Sequence, residues 1–323
     1  MNTMSRFIDS RRPRWDRLEQ LLDRLEKRQQ LSAEELLELD RLYRQVNTDM
    51  AMAQGRYPDS DYTRMLELML VRAHGLIYPA RSPLGEKIAA FVKQGFPAAV
   101  GNSKKLIWLS FATFMLGAVI GLSLASLRPD LGEIIMGEQT VEQMKTGHIW
   151  TERLEEENPF LTFIYLFGNN VRVSMTAFAM GILLGVGALF LMLYNGLHLG
   201  SSLGVTITYG VGGKLLTFVT GHGYIEIFCI LMAGAAGMAI GFAILAPGRR
   251  SRGEAVAEAG RRVFPLLAAT IPILAVAAFV EGFISPEPWI PAWIKFTLGP
   301  ALLGGLLLYV VLANRRRKAD QTS

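Results

Sequence analysis

Apolar and polar residues alternate in two different ways along this chain. Over the first hundred residues, apolar positions recur every three or four between charged ones. Beyond residue 105 they merge into stretches long enough to cross a bilayer. Six such spans are read: Leu106 to Leu127, Val171 to Tyr194, Leu197 to about Val219, Gly223 to Leu245, Val263 to Ile284 and Trp293 to Ala313. At ~1.5 Å per helical residue the clearest are ~33 Å long, against a hydrocarbon core of ~30 Å. The third is rich in Gly and Thr and has Lys214 near its end. The expected fold class is all-α: a polytopic helical membrane protein with six transmembrane helices and an N-terminal cytoplasmic helical domain. Its parts are a head over 1–105, a membrane domain over 106–313 and a basic tail over 314–323.

In the head, Trp15, Leu18, Leu22 and Leu25 form one apolar helical stripe. Ser32 to Glu35 has the form of a capping box, and Leu36, Leu39, Tyr43 and Val46 are expected on the buried face of the helix it opens. Gly55 and Pro58 end that helix, and a third runs from about Asp61 to His74 with Gly75 as its cap. Ser82-Pro83 then opens an amphipathic piece with Ile88, Phe91, Val92 and Phe96 apolar, expected to lie in the interface plane as an elbow before Pro97. So few helices make a thin core, so the head is expected to lean on the membrane, a partner or a second copy.

Charge placement orients the spans. Residues 1–105 hold 18 Lys/Arg against 14 Asp/Glu, whereas the connection from Arg128 to Asn170 holds three basic residues and eight acidic ones. Arg249, Arg250, Arg252, Arg261 and Arg262 lie between spans four and five, and Arg315, Arg316, Arg317 and Lys318 follow span six. By the positive-inside rule both termini are cytoplasmic and the acidic loop is external, provided two crossings lie between Asn170 and Gly223. The start of the chain offers no apolar stretch for a cleavable signal, so the first span is expected to direct insertion. The net charge of +5 reflects these cytoplasmic edges and anionic lipid, so no nucleic-acid partner is expected. The single cysteine, Cys229, excludes an intrachain disulfide.

Within the spans, Gly196, Gly200 and Gly204 fall on one helix face, and Gly117/Gly121, Gly181/Gly185 and Gly237/Gly241 repeat the pattern, which permits close backbone approach within one chain or across a dimer. His222 and Glu226 are spaced by four, so imidazole and carboxylate share one side of a helix. Ionisable groups at membrane depth cost ~2.5–3.5 kcal/mol each at the helix centre and are functional candidates for that reason. Asn169, Asn170 and Arg172 stand at the entrance to span two, and Glu281 lies one turn before the end of span five. If Arg172, Lys214, His222, Glu226 and Glu281 converge, they form a polar cluster under the outer surface, either a transport site or a network that fixes helix register. Asn195 and His198 are expected at the opposite, cytoplasmic end as a second polar zone. No His-Glu-x-x-His pattern occurs, and Gly210-Val211-Gly212-Gly213-Lys214 lacks the spacing of a phosphate-binding loop, so no metal or other cofactor is expected.

The ordered set Arg14-Trp15 with Leu18 and Leu22, Tyr43, Asp49, Ala53, Arg72 with His74, and Phe96-Pro97 resembles the stage II sporulation protein M family. So do Phe167-Gly168-Asn169-Asn170, Tyr194-Asn195-Gly196-Leu197 with Gly200, and His222-Gly223-Tyr224-Ile225-Glu226 followed by Ala233-Gly234 and Gly237. The resemblance is read over nearly the whole chain. It implies an integral protein of the bacterial cytoplasmic (inner) membrane. The family's namesake helps one cell membrane engulf another, together with membrane-bound peptidoglycan-degrading partners. The head is longer than in the minimal sporulation form, which implies an extra cytoplasmic partner. The expected function is a non-catalytic scaffold or assembly factor in envelope organisation, whose partners are membrane lipid, other membrane or cytoplasmic proteins, or a second copy in a homo-oligomer. A transporter or channel is the alternative, and an intramembrane enzyme using His222 and Glu226 comes third.

Overall fold

The structure, a computed structural model, describes residues 3–27, 29–77 and 83–322, and these contain helices and connections but no strand. The chain forms two compact units, Met1–Leu84 and Gly85–Ser323. Residues 85–105, expected to belong to the head, therefore group with the membrane unit, because they are continuous with its first long helix.

The head unit contains α1 (Thr3–Asp9), α2 (Arg12–Glu26), α3 (Ala33–Arg56) and α4 (Asp61–Ile77). Trp15, Leu18, Leu21 and Leu22 of α2 pack with Leu39, Leu42 and Val46 of α3 and Leu66, Met69 and Ala73 of α4. The capping box forms as expected: Glu35 N–H donates to Ser32 Oγ at 3.2 Å and Ser32 N–H to Glu35 Oε2 at 2.8 Å. Leu36 is half exposed, since it stands in the first turn and Leu42 takes the place facing α2. Nor does Gly75 end its helix, which continues to Ile77, because a lone Gly lowers helix propensity without forbidding the helix. Asp49 is buried. Trp15 Nε1 donates to its Oδ2 at 2.9 Å and Arg11 Nε to its Oδ1 at 2.9 Å, and Arg14 pairs with it at 3.1 Å.

The membrane unit begins with α5 (Leu84–Ala90), a π-helical turn over Phe91–Gly95 and α6 (Phe96–Leu127), together one 44-residue helical run. The expected elbow is absent from it, and Ser82, its expected first residue, lies outside the described residues. Pro97 has no N–H to donate, and the wider turn before it, closed from Phe96 N–H to Phe91 O, lets the helix pass through. The turn also leaves the Val92 carbonyl to accept from Tyr309 OH, while Asn314 Nδ2 donates to Pro97 O at 2.7 Å. Next come α7 (Pro129–Met136), α8 (Glu138–Lys145) and a 3₁₀ segment over Trp150–Glu155. This acidic connection is folded: Val141, Met144 and Ile149 are buried against Ala125, Val205 and Val211.

The remaining helices are α9 (Pro159–Ala179), α10 (Val186–Thr208), α11 (Gly212–Val219), α12 (Gly223–Leu245), α13 (Arg252–Phe283) and α14 (Ala292–Thr322). Among the described residues, five helical runs are long and apolar enough to cross a membrane: Leu84–Leu127, Val186–Thr208, Gly223–Leu245, Arg252–Phe283 and Ala292–Asp320. α9, whose middle carries Asn169, Asn170 and Arg172, is not among them, although it packs against α12 and α13. The expected second and third spans are displaced. The chain turns at 180–185, where Leu184 and Gly185 have φ of +56° and +83°, and not near residue 195. An apolar run hides that turn because it is seated on another helix: a Cβ at Gly181 would strike Gly237, and one at Gly241 would strike Gly185.

The glycine ladders are used within the chain. A side chain on Gly196 or Gly200 would strike the carbonyls of Phe114 or Ala118, and one on Gly117 or Gly121 those of Leu193 or Leu197, so α6 and α10 meet backbone to backbone. Gly204 approaches Ala125 and Leu122, with a Cβ there 2.9 Å from each. The unit has two ends of opposite charge. One gathers the start of α6, the α9–α10 turn, the arginines of the α12–α13 connection and the basic end of α14. The other gathers the acidic connection, α11 and the α13–α14 connection.

Candidate functional site

The sharpest cluster stands where the chain is broken into α11 and α12. Thr220-Gly221-His222 separates the two helices, which puts His222 at the cap of α12 and Glu226 one turn into it. Glu281 arrives from the last turn of α13. His222 Nε2 lies 3.5 Å from Glu281 Oε1 and 3.9 Å from Glu226 Oε2, and one donor atom from each residue falls within a 4.8 Å group. The other ring nitrogen, Nδ1, is 3.0 Å from Ser285 Oγ. Ser285 is fixed in turn, because Lys295 Nζ donates to its carbonyl at 2.8 Å and to that of Glu287 at 2.9 Å. Two carboxyls and an imidazole are thus gathered in a buried place. Such a set can hold a proton or a divalent cation.

Asn170 enters from the middle of α9, is 5% exposed and lies within hydrogen-bonding reach of the Glu281 carboxyl, whose Oε2 is left without a well-formed hydrogen bond. These groups line a cavity of about 440 Å³ that also takes in Asn169, Asn195, His198, Trp150 and Arg153. Two expectations change here. Asn169 and Asn170 stand in the middle of a helix rather than at its entrance. Asn195 and His198 line the same cavity as His222 instead of a separate zone, because the displaced turn moves both into the middle of α10.

Arg172 and Lys214 do not join the cluster. Arg172 is exposed and donates to Asn169 Oδ1 at 2.9 Å. Lys214 donates to Glu152 Oε1 at 2.7 Å and to Gly147 O at 2.9 Å, tying α11 to the folded acidic connection. That pairing holds the Glu152 carboxyl below its ordinary range against the opposing effect of partial burial, with His148 contributing at 2.6 Å. Ser285 was not anticipated, since a serine just past a span carries no signal in sequence. Trp150 and Arg153 were not anticipated either, since they reach the cavity only through the folding of the acidic connection.

The family model for stage II sporulation protein M matches residues 110–286, which include the cavity and its cluster. The chain belongs to the stage II sporulation protein M family. That match covers the stage II sporulation protein M region only. The head, residues 5–79, matches a separate model described as a domain of unknown function (DUF8413), so the resemblance read over nearly the whole chain is confined to the membrane unit. Comparison with curated proteins and with solved structures gives no match.

Proposed function

We propose that this protein is a non-catalytic scaffold or assembly factor in cell-envelope organisation, held in the bacterial cytoplasmic membrane with both termini inside. The reading rests on one observation above all: the polar cavity is closed toward the basic end of the bundle. Along α6 and α12 its lining reaches no further toward that end than Phe114 and Ile230, near the middle of each helix. Beyond them the α9–α10 turn sits directly on the backbone of α12 at Gly237 and Gly241. A solute passing through would have to part glycine faces that have no side chains to swing aside. The head supports the same reading, because Met65, Leu68 and Val71 give α4 an exposed apolar stripe suited to a protein or lipid partner. The two small-residue faces are occupied within the chain, so a homo-oligomer would use other surfaces.

The transporter alternative is tested by flux. Proteoliposomes carrying the full chain are expected to pass no ion or solute above empty vesicles, and the double variant His222→Gln, Glu226→Gln is expected to behave alike. Flux by the parent that disappears in the variant would overturn the scaffold reading.

A further inference from the structure

His222, Glu226 and Glu281 are arranged as metal ligands, and the surrounding groups support this. Donor atoms bound at ~2.1 Å to a tetrahedral ion stand ~3.4 Å apart. The 3.5 and 3.9 Å separations around His222 Nε2 are slightly wider, so an ion could be held by small side-chain movements. Nε2 is the ring nitrogen that faces both carboxyls, while Nδ1 is engaged by Ser285 Oγ at 3.0 Å. A metal-binding histidine is arranged in this way, one nitrogen on the ion and the other held by an oxygen that fixes the ring. Lys295, by bonding the Ser285 carbonyl, holds that oxygen in place. The second, independent observation is Glu281 Oε2, a carboxyl oxygen without a well-formed hydrogen bond on a residue 9% exposed in the same cavity. Buried polar atoms are normally satisfied, so an unpartnered carboxyl oxygen beside a ligand set points to a bound cation.

We infer that His222, Glu226 and Glu281 bind one divalent first-row transition-metal ion, which clamps α12 to α13, with Asn170 or a water from the cavity as the remaining ligand. A mixed nitrogen and oxygen donor set without thiolate fits zinc and its neighbours better than calcium or copper(I). The three ligands are scattered over the chain, so no linear motif announces the site. The inference is independent of the scaffold reading, since a structural ion would serve a scaffold and a transporter equally.

The test uses the full chain without a histidine tag, purified in detergent and stripped with a chelator. Zinc is added back, and retained metal per chain and the thermal midpoint are measured together. One tightly held zinc per chain and a raised midpoint are expected. Glu281→Gln should lose both, and Ser285→Ala should weaken binding ~10–100-fold with the same helix content. His148→Gln, which removes the exposed His148–Glu152 pair, should leave binding unchanged. Cobalt in place of zinc gives a visible ligand-field spectrum in the parent, which reads the site even if Glu281→Gln fails to fold. Absence of bound zinc in the parent would overturn the inference. So would zinc retained equally by Ser285→Ala and Glu281→Gln, or lost only in His148→Gln.

Discussion

A methyl group on Gly200 would run into the carbonyl of Ala118, a backbone atom that cannot move alone. Even Gly200→Ala is therefore expected to destabilise the membrane unit, by about 1–3 kcal/mol, and Gly200→Leu by more. Loss of monodisperse protein, or a lower thermal midpoint in detergent, checks this. Gly213, where nothing stands within reach of an added Cβ, should accept Ala without that loss. In the head the comparable residue is Asp49, which gathers Trp15, Arg11 and Arg14. Asp49→Ala leaves a buried indole N–H without its acceptor and two guanidinium groups without their shared partner, at a cost of about 3–5 kcal/mol. Protease resistance of the head in the full chain should fall accordingly. At this scale the sequence was informative wherever a residue acts on near neighbours, as in the capping box or the His222–Glu226 pair. It was silent on Ser285, whose hydroxyl matters only because folding brings it 63 positions back to His222.

At the scale of elements, apolarity found the helices but misplaced one turn. The run from 171 to 194 stays apolar across the break at 180–185 because the turn seats Gly181 and Gly185 on α12 and leaves Ile182, Leu183 and Leu184 as exposed apolar side chains, whereas hydropathy detects only breaks that carry polar residues. α9 was concealed for the opposite reason, since its polar Asn169 and Asn170 line a cavity, with Arg172 exposed beside them. The two errors together made one cavity look like two polar zones. Charged pairs between head helices carry a pH prediction. Hydrogen bonds from Arg72 to Glu26, from Arg24 to Glu35 and from Arg17 to Glu38 hold these carboxyls below their ordinary range. Their stabilising contribution is thus present above the unfolded carboxylate pKa of ~4.3 and lost as pH falls through the lower folded values. Thermal melts should show the head weakening below about pH 4, and the triple variant Glu26→Gln, Glu35→Gln, Glu38→Gln should flatten that dependence. An unchanged slope would mean the pairs are too well screened to matter.

For the whole molecule, the all-helical membrane architecture was legible from apolar run length alone, and the gathering of basic segments at one end was legible from charge. The folded state of the acidic connection was not, since α7 and α8 become stable only through contacts with α6 and α10. The scaffold reading proposes one placement of this polarised bundle in its membrane, with the basic end and both termini inside and the acidic connection outside. Single cysteines at Glu156 and Arg250, introduced as Glu156→Cys and Arg250→Cys in a Cys229→Ala background, test that placement directly with an impermeant thiol reagent. In spheroplasts the first should label at once and the second only after the membrane is permeabilised. Equal labelling of both before permeabilisation, or labelling of Arg250→Cys alone, would contradict the account.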